Sequence, residues 1–405
     1  MRQKLTLLLL LSVMSIAAQR SFEITVENPL KSVRKDIPVV IDLKPYGYVS
    51  RSVVWLGDKE IPSQLDDLDL DEEMDELCFL ADLAPKEKQT YRVELYAEGK
   101  QSPYPARVYA EMLMRNDKVK EKNKHDNYVA SLSVRGDCAN SYNLLHHHGV
   151  CFESELNGIR IYFDKRQTLD LYGKFSKRLE LKDTQFYTGK EQKEQGYGDD
   201  VLWVGNTFGL GALRGWDGTS PTMVEPVKTR TQRMISYGPL RTIVEVVDQG
   251  WQPSANLPAV NMTIRYTQYA GHRDTDVDVT FSRTAGDYLF STGIINVKGS
   301  TEYTDHKGLR ACWGTDYPST DTINWKPETV GLAILIPQQH IVSEETANKD
   351  NYPFVVKADG QQLSYKVAYT SANESFGFAD KEAWFEWLRE WRRDVEHPVK
   401  VKVNR

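Results

Sequence analysis

The sequence predicts a mainly β protein: a small N-terminal β-sandwich, then a large antiparallel β-supersandwich with one C-terminal helix. Three observations carry this expectation. Period-two alternation recurs in short runs bounded by turn residues, two later runs are long enough to form an extended hairpin, and helical spacing is confined to one stretch near the end.

Taken in order, residues 1–18 read as a signal peptide. Arg2 and Lys4 form a basic start, the segment 5–16 is apolar, and Ala17 and Ala18 supply small residues at the cleavage point. The apolar run is short of the ~20 residues that a membrane span needs, and no Cys stands at the cleavage point for lipid attachment. The expectation is export to a periplasmic or extracellular setting, with no stable membrane span. Residues 19–100 form the first unit, with strands expected over 22–26, 38–42, 52–56 and 91–95. The stretch 99–105 is the expected linker into a second unit covering 101–405. There, alternating or β-branched runs predict strands over 128–134, 159–163, 201–205, 241–247, 260–269 and 275–283. The turn 270–273 joins the last two. Residues 380–395 predict the helix, with Trp384, Phe385, Trp387, Leu388 and Trp391 on an apolar stripe assigned to core packing. Pro398 ends it before a final strand over 399–403.

Charge excludes one partner class. The 51 Lys and Arg against 57 Asp and Glu leave a net charge of −6 with no clustered basic excess, so nucleic acid is not an expected partner. Aromatic residues make up 11% of the chain, and their flat amphipathic rings suit both β packing and stacking on sugar faces. Cys78, Cys138, Cys151 and Cys312 form no C-x-x-C pair, so their spacing matches no zinc motif. In an oxidising compartment Cys138 and Cys151 are candidates for pairing. The acidic run 66–76 offers Asp67, Asp69 and Asp71 at alternate positions. However, Glu72 stands where a calcium loop needs Gly and Cys78 where it needs Glu, so a solvated loop is expected.

Three segments concentrate chemistry. In the first, His146, His147 and His148 precede Gly149, and a near-neutral imidazole moves protons or ligates metal. Glu153 or Glu155 is the expected completion of any metal site there. On the following strands Glu153 and Glu155 share one face, and Arg160, Tyr162 and Asp164 recur at period two, with Lys165 and Arg166 after them. Arg and Lys neutralise carboxylates, Arg with bidentate geometry. In the second, Asp170, Tyr172 and Lys174 cluster near a turn. In the third, glycines permit close backbone approach around Tyr197, Asp199, Asp200, Arg214 and Trp216. Each of these residues also has a plain reading as solvated surface.

The runs Phe-Glu-Ser-Glu-Leu, Arg-Ile-Tyr-Phe-Asp-Lys-Arg-Gln-Thr-Leu-Asp-Leu-Tyr-Gly-Lys, Asp-Val-Leu-Trp-Val-Gly and Gly-Ala-Leu-Arg-Gly-Trp resemble the domain-of-unknown-function family 4861. The resemblance extends over nearly the whole mature chain. It implies a secreted member of a polysaccharide-degrading system, with a large β-sandwich similar to galactose mutarotase-like proteins and some polysaccharide lyases.

The resulting expectation is a carbohydrate-active enzyme that cleaves a uronate-containing, acidic glycan by β-elimination. Elimination needs a neutralised carboxylate, a base for the C5 proton and an acid for the leaving oxygen. His146 or His148 is the expected base, Tyr172 or Tyr197 the acid, and Arg214 with Arg160 the carboxylate clamp. Glu153, Lys165, Arg166, Lys174 and Asp200 are expected to bind or orient, and Trp216 to stack on a sugar. Two alternatives stand beside this. A glycoside hydrolase would use two of Glu153, Asp164, Asp199 and Asp200, and a glycan-binding protein would need no proton transfer. No cofactor is expected, with a divalent cation left as an open alternative.

Overall fold

The computed structural model describes residues 19–136 and 141–404. The expected leader and Cys138 lie outside the described residues. At the N-terminal end, alternating apolar side chains bring two sheets face to face. One contains the strands Gln19–Glu27, Lys88–Tyr96, Arg51–Leu56 and Lys59–Ile61, and the other Arg34–Asp42, Glu76–Leu83 and Ser63–Asp66. Ile24, Val26, Val39, Val54, Phe79 and Val93 are fully buried between them, each worth about 1.5–3 kcal/mol by removal from water. The fifth strand of the first sheet is the chain's last, Lys400–Asn404, paired antiparallel with residues 23–27. The expected division at residue 100 is therefore crossed: the C-terminus returns to complete the N-terminal sheet.

The larger part is built on a nine-stranded antiparallel sheet. Its centre is formed by Gln362–Ser371, Asp274–Phe281, Val260–Tyr269 and Arg241–Trp251. The expected hairpin is present, with Gln268 opposite Thr275 across the 270–273 turn. Two five-stranded sheets share one core with it. Val244, Ile264 and Val367 come from the long sheet, Phe152, Ile159 and Leu171 from one short sheet, and Phe290, Ile294 and Phe354 from the other, all fully or almost fully buried. The helix Lys381–Glu396 is capped by Asp380, whose carboxylate accepts from the Ala383 N–H at 2.9 Å. It packs Trp384, Leu388 and Trp391 against Leu309, Ala333 and Ala368, so the tryptophan stripe is core. Two short helical turns, Leu181–Thr184 and Lys190–Glu194, precede it.

The strand expected over 201–205 does not form. Val201, Leu202 and Val204 are buried in the core and Trp203 is exposed, but the backbone there joins no ladder. Among the described residues, no helix is long and apolar enough to cross a membrane.

Candidate active site

Strand register builds the site. In one short sheet, Glu111 lies opposite Cys151, Cys151 opposite Arg160, and Arg160 opposite Asp170; the next row runs Tyr109, Glu153, Gly158, Tyr172 and Asp200. Cross-strand partners share a face, so one face of this sheet is polar while Phe152, Ile159 and Leu171 enter the core from the other. The polar face is not solvated. Residues 175–198 and the segment ending in the three histidines lie over it, and most of its side chains are buried.

Burial separates the expected site residues. Lys174 and Glu153 form a fully buried ion pair at 2.5 Å. Lys174 Nζ also donates to the carbonyls of Ser154 at 2.6 Å and Arg178 at 2.8 Å, while Glu153 accepts from the N–H groups of Glu180 and Leu181. Both residues hold the covering segment rather than a substrate. Tyr172 is equally committed: its hydroxyl meets Glu180 at 3.0 Å and the Gly198 carbonyl at 2.8 Å, so it is not the acid. Arg214 is buried and donates to the carbonyls of Arg166, Asn206 and Thr207 and to the Thr168 hydroxyl, which leaves no free edge for a carboxylate clamp. Burial also pulls its pKa down to about 10. Lys165 pairs with Glu225 at 2.7 Å on the surface. Trp216 is half-buried beside Pro221 at a short two-strand ladder. Neither lines the cavity that takes His146 and His148.

What comes together is a smaller group. His146 and His148 line a cavity of about 380 Å³ with His125, Tyr187, Arg115, Lys120 and Lys122. His148 has a left-handed backbone (φ 71°) and stacks on Tyr142 at 3.7 Å between ring centroids. Its Nδ1 lies 3.0 Å from the Tyr142 carbonyl, so it carries the hydrogen, and Nε2 accepts from the Tyr187 hydroxyl at 3.2 Å. Burial, then the nearby Arg160 charge, pull His148 down to about 4, so it is a neutral acceptor near pH 7. Burial raises the Tyr187 phenol, while Arg160 acts in the opposite direction. Arg160 Nη1 donates to the Tyr187 oxygen at 3.4 Å. Its other nitrogens hold Asp170 at 2.6 Å and Asp200 at 3.0 Å, which fixes the guanidinium behind the tyrosine rather than in the cavity. His146 stacks on His125 at 3.8 Å, and burial lowers it to about 3. Arg166, pinned by Asp164 at 2.5 Å, lies over the Tyr142 and Tyr162 rings and so braces the His148 stack.

A second cleft of about 340 Å³ takes Tyr197 and Asp200, together with Asp199, Lys193, Trp325 and Glu328. Tyr197 donates to Asp183 at 3.0 Å, with the Arg178 guanidinium 3.9 Å over its ring. Burial raises the carboxyls of Asp199 and Glu328, and burial then Asp170 raise that of Asp200. Arg160 thus stands between the two clefts, touching Tyr187 of one and Asp200 of the other. In the acidic loop Asp67 accepts from the N–H of Leu70 at 2.6 Å and of Glu72 at 2.8 Å, and Asp67, Asp69 and Asp71 each bring one carboxylate oxygen within 4.8 Å of the others. Cys151 is a free buried thiol.

The residue that sequence reasoning missed is Tyr187. It follows a short helical turn in an irregular segment and shows no periodicity; its only signal was an aromatic beside the Gly189 that caps the next turn. Arg115, Lys120 and Lys122 come from a stretch of mixed charge that also holds Asp117 and Glu121, which is why the sequence showed no basic cluster there.

The family model described as Domain of unknown function (DUF4861) matches residues 26–401. The chain belongs to this family. No curated protein sequence matches it. Two solved structures from Enterococcus faecalis, one described as a protein in glycosyl hydrolase family 38 and one as an alpha-mannosidase, are each 10% identical to this DUF4861 chain, with a TM-score of 0.51. They align with 95% of it and with 47% and 46% of their own lengths, so the chain spans about half of each. At that identity the likeness shows a shared fold alone.

Proposed function

We propose that this protein cleaves an acidic, uronate-containing glycan by β-elimination at the His148–Tyr187 cavity, after export through residues 1–18. The observation that carries the reading is the Tyr187 hydroxyl held 3.2 Å from a neutral imidazole and backed by Arg160, in a cavity lined by Arg115, Lys120 and Lys122 against one carboxylate, Asp117. The exposed rim cations Lys120 and Lys122 attract the uronate carboxylate, while Arg115 is paired with Asp117 at 3.1 Å. Tyr187 passes its proton to His148 Nε2 and takes the C5 proton of the sugar, with Arg160 stabilising the phenolate in passage. The C4–O bond breaks as the C4–C5 double bond forms, and the proton returns through Tyr187 to the leaving oxygen. No water is consumed, and the enzyme ends as it began.

Hydrolysis is the second reading, favoured by the raised carboxyls of Asp199, Asp200 and Glu328 around the other cleft. It would use one as acid and another as base. Tyr187→Phe and Asp200→Asn separate the two on the same oligosaccharides. Elimination predicts that loss of the Tyr187 hydroxyl abolishes formation of unsaturated product. Turnover that survives Tyr187→Phe but not Asp200→Asn would transfer the assignment to the second cleft.

A further inference from the structure

Between the cavity and the sheet lies a cluster that the proton relay does not use. Glu111, His147 and Cys151 are all buried, and one ligand atom from each lies within 4.8 Å of the others. His147 Nε2 is 3.3 Å from Glu111 Oε1 and 3.5 Å from Cys151 Sγ; Sγ is 3.9 Å from the same carboxylate oxygen. Register explains two of the three, since Glu111 and Cys151 are direct cross-strand partners. The third enters from the turn that delivers His146 and His148 to the cavity.

The hydrogen bonding leaves this arrangement incomplete. His147 Nδ1 is 2.8 Å from the Gly149 carbonyl, so Nδ1 carries the hydrogen and a neutral ring presents only a lone pair at Nε2. That lone pair faces a carboxylate oxygen. The other oxygen, Oε2, already accepts from the Tyr109 hydroxyl at 2.7 Å. Among the described residues, no lysine or arginine forms an ion pair with Glu111, while Arg160 nearby is committed to Asp170 and Asp200.

We infer that Glu111, His147 and Cys151 bind a divalent zinc-class metal ion. Nitrogen, oxygen and sulfur donors suit a borderline-soft ion. With bonds of about 2.0–2.3 Å, tetrahedral donors sit about 3.3–3.7 Å apart, close to the separations here. One carboxylate and one thiolate cancel the charge of a divalent ion, so the buried site is neutral. The thiol proton leaves on binding. The Nδ1–carbonyl and Tyr109–carboxylate bonds are the outer contacts that orient metal ligands elsewhere. Three protein donors leave one position for a non-protein ligand. The ion would anchor the turn that positions His146 and His148.

The test uses the full chain, purified without chelator or affinity histidines, dialysed against chelator, then offered Zn²⁺ or Co²⁺. The expected result is one zinc retained per chain through gel filtration and, with Co²⁺, a thiolate-to-cobalt charge-transfer band in the near ultraviolet. Cys151→Ala abolishes the band. Glu111→Gln and His147→Gln weaken zinc retention by at least about tenfold, no less than loss of an outer-shell contact does. Tyr109→Phe weakens retention with the circular dichroism spectrum unchanged, which covers the case where a ligand variant does not fold. His148→Asn leaves retention intact. No stoichiometric uptake by folded wild-type protein, a band that survives Cys151→Ala, or retention lost only with His148 would overturn the inference.

Discussion

Lys174→Ala is the substitution whose cost follows most directly from the geometry. Lys174 Nζ has no solvent contact, and its three acceptors are Glu153 and the carbonyls of Ser154 and Arg178. Removing the ammonium leaves Glu153 charged and buried, and deleting one partner of such a pair costs about 3–5 kcal/mol. Glu153 keeps its N–H donors from Glu180 and Leu181, which places the expected loss toward the lower end of that range. The double variant Lys174→Met with Glu153→Leu removes both charges and fills similar volume but leaves the Glu180 and Leu181 N–H groups without their acceptor, so it is expected to recover only part of the loss. The assay is equilibrium denaturant unfolding of wild type, both single variants and the double variant, read as a cycle. A loss below about 1 kcal/mol for Lys174→Ala, the range of exposed pairs, would refute the burial argument. It would also restore Lys174 as a candidate ligand for substrate.

Three further outcomes follow from the same geometry. Tyr187→Phe is expected to lower kcat by about 10²–10⁴-fold, the usual worth of a positioned proton-transfer group, with KM and the unfolding midpoint little changed. The acid limb of activity is expected near pH 4 rather than near 6.5, because the relay needs neutral His148 and burial with Arg160 pulls His148 down to about 4; a pH–rate profile checks it. His272 faces the Asp274 carboxylate at 3.0 Å and the Asp36 carbonyl at 2.8 Å, two acceptors that favour the doubly protonated ring and raise its pKa despite burial. Its stabilising contribution is full below its unfolded pKa of about 6.5 and lost as pH rises through the higher folded value. The difference in melting temperature between wild type and His272→Asn should therefore shrink from acid to alkaline pH.

Strand positions were legible because side-chain alternation reports which face meets a core. The hairpin 260–281 and the capped helix were readable from local pattern alone. The segment 201–205 misled because its apolar residues enter the core without a strand partner, and alternation does not distinguish the two cases. Arg160, Tyr162 and Asp164 were visible as a period-two row, while only strand register brings Glu153 and Asp170 onto the same polar face. The burial of that face was not visible, because the cover comes from residues 175–198, whose irregular path carries no period. The histidines were found by composition. Their partners Tyr187 and Glu111 lie about 40 positions away on either side, and only the three-dimensional register joins them.

The most direct test of the central claim is incubation of the mature protein with uronate-containing oligosaccharides, recording ultraviolet absorbance and product mass together. Elimination at the His148–Tyr187 cavity predicts absorbance from a conjugated unsaturated uronate and products whose summed mass equals that of the substrate. Products that gain the mass of one water, without new absorbance, would contradict it.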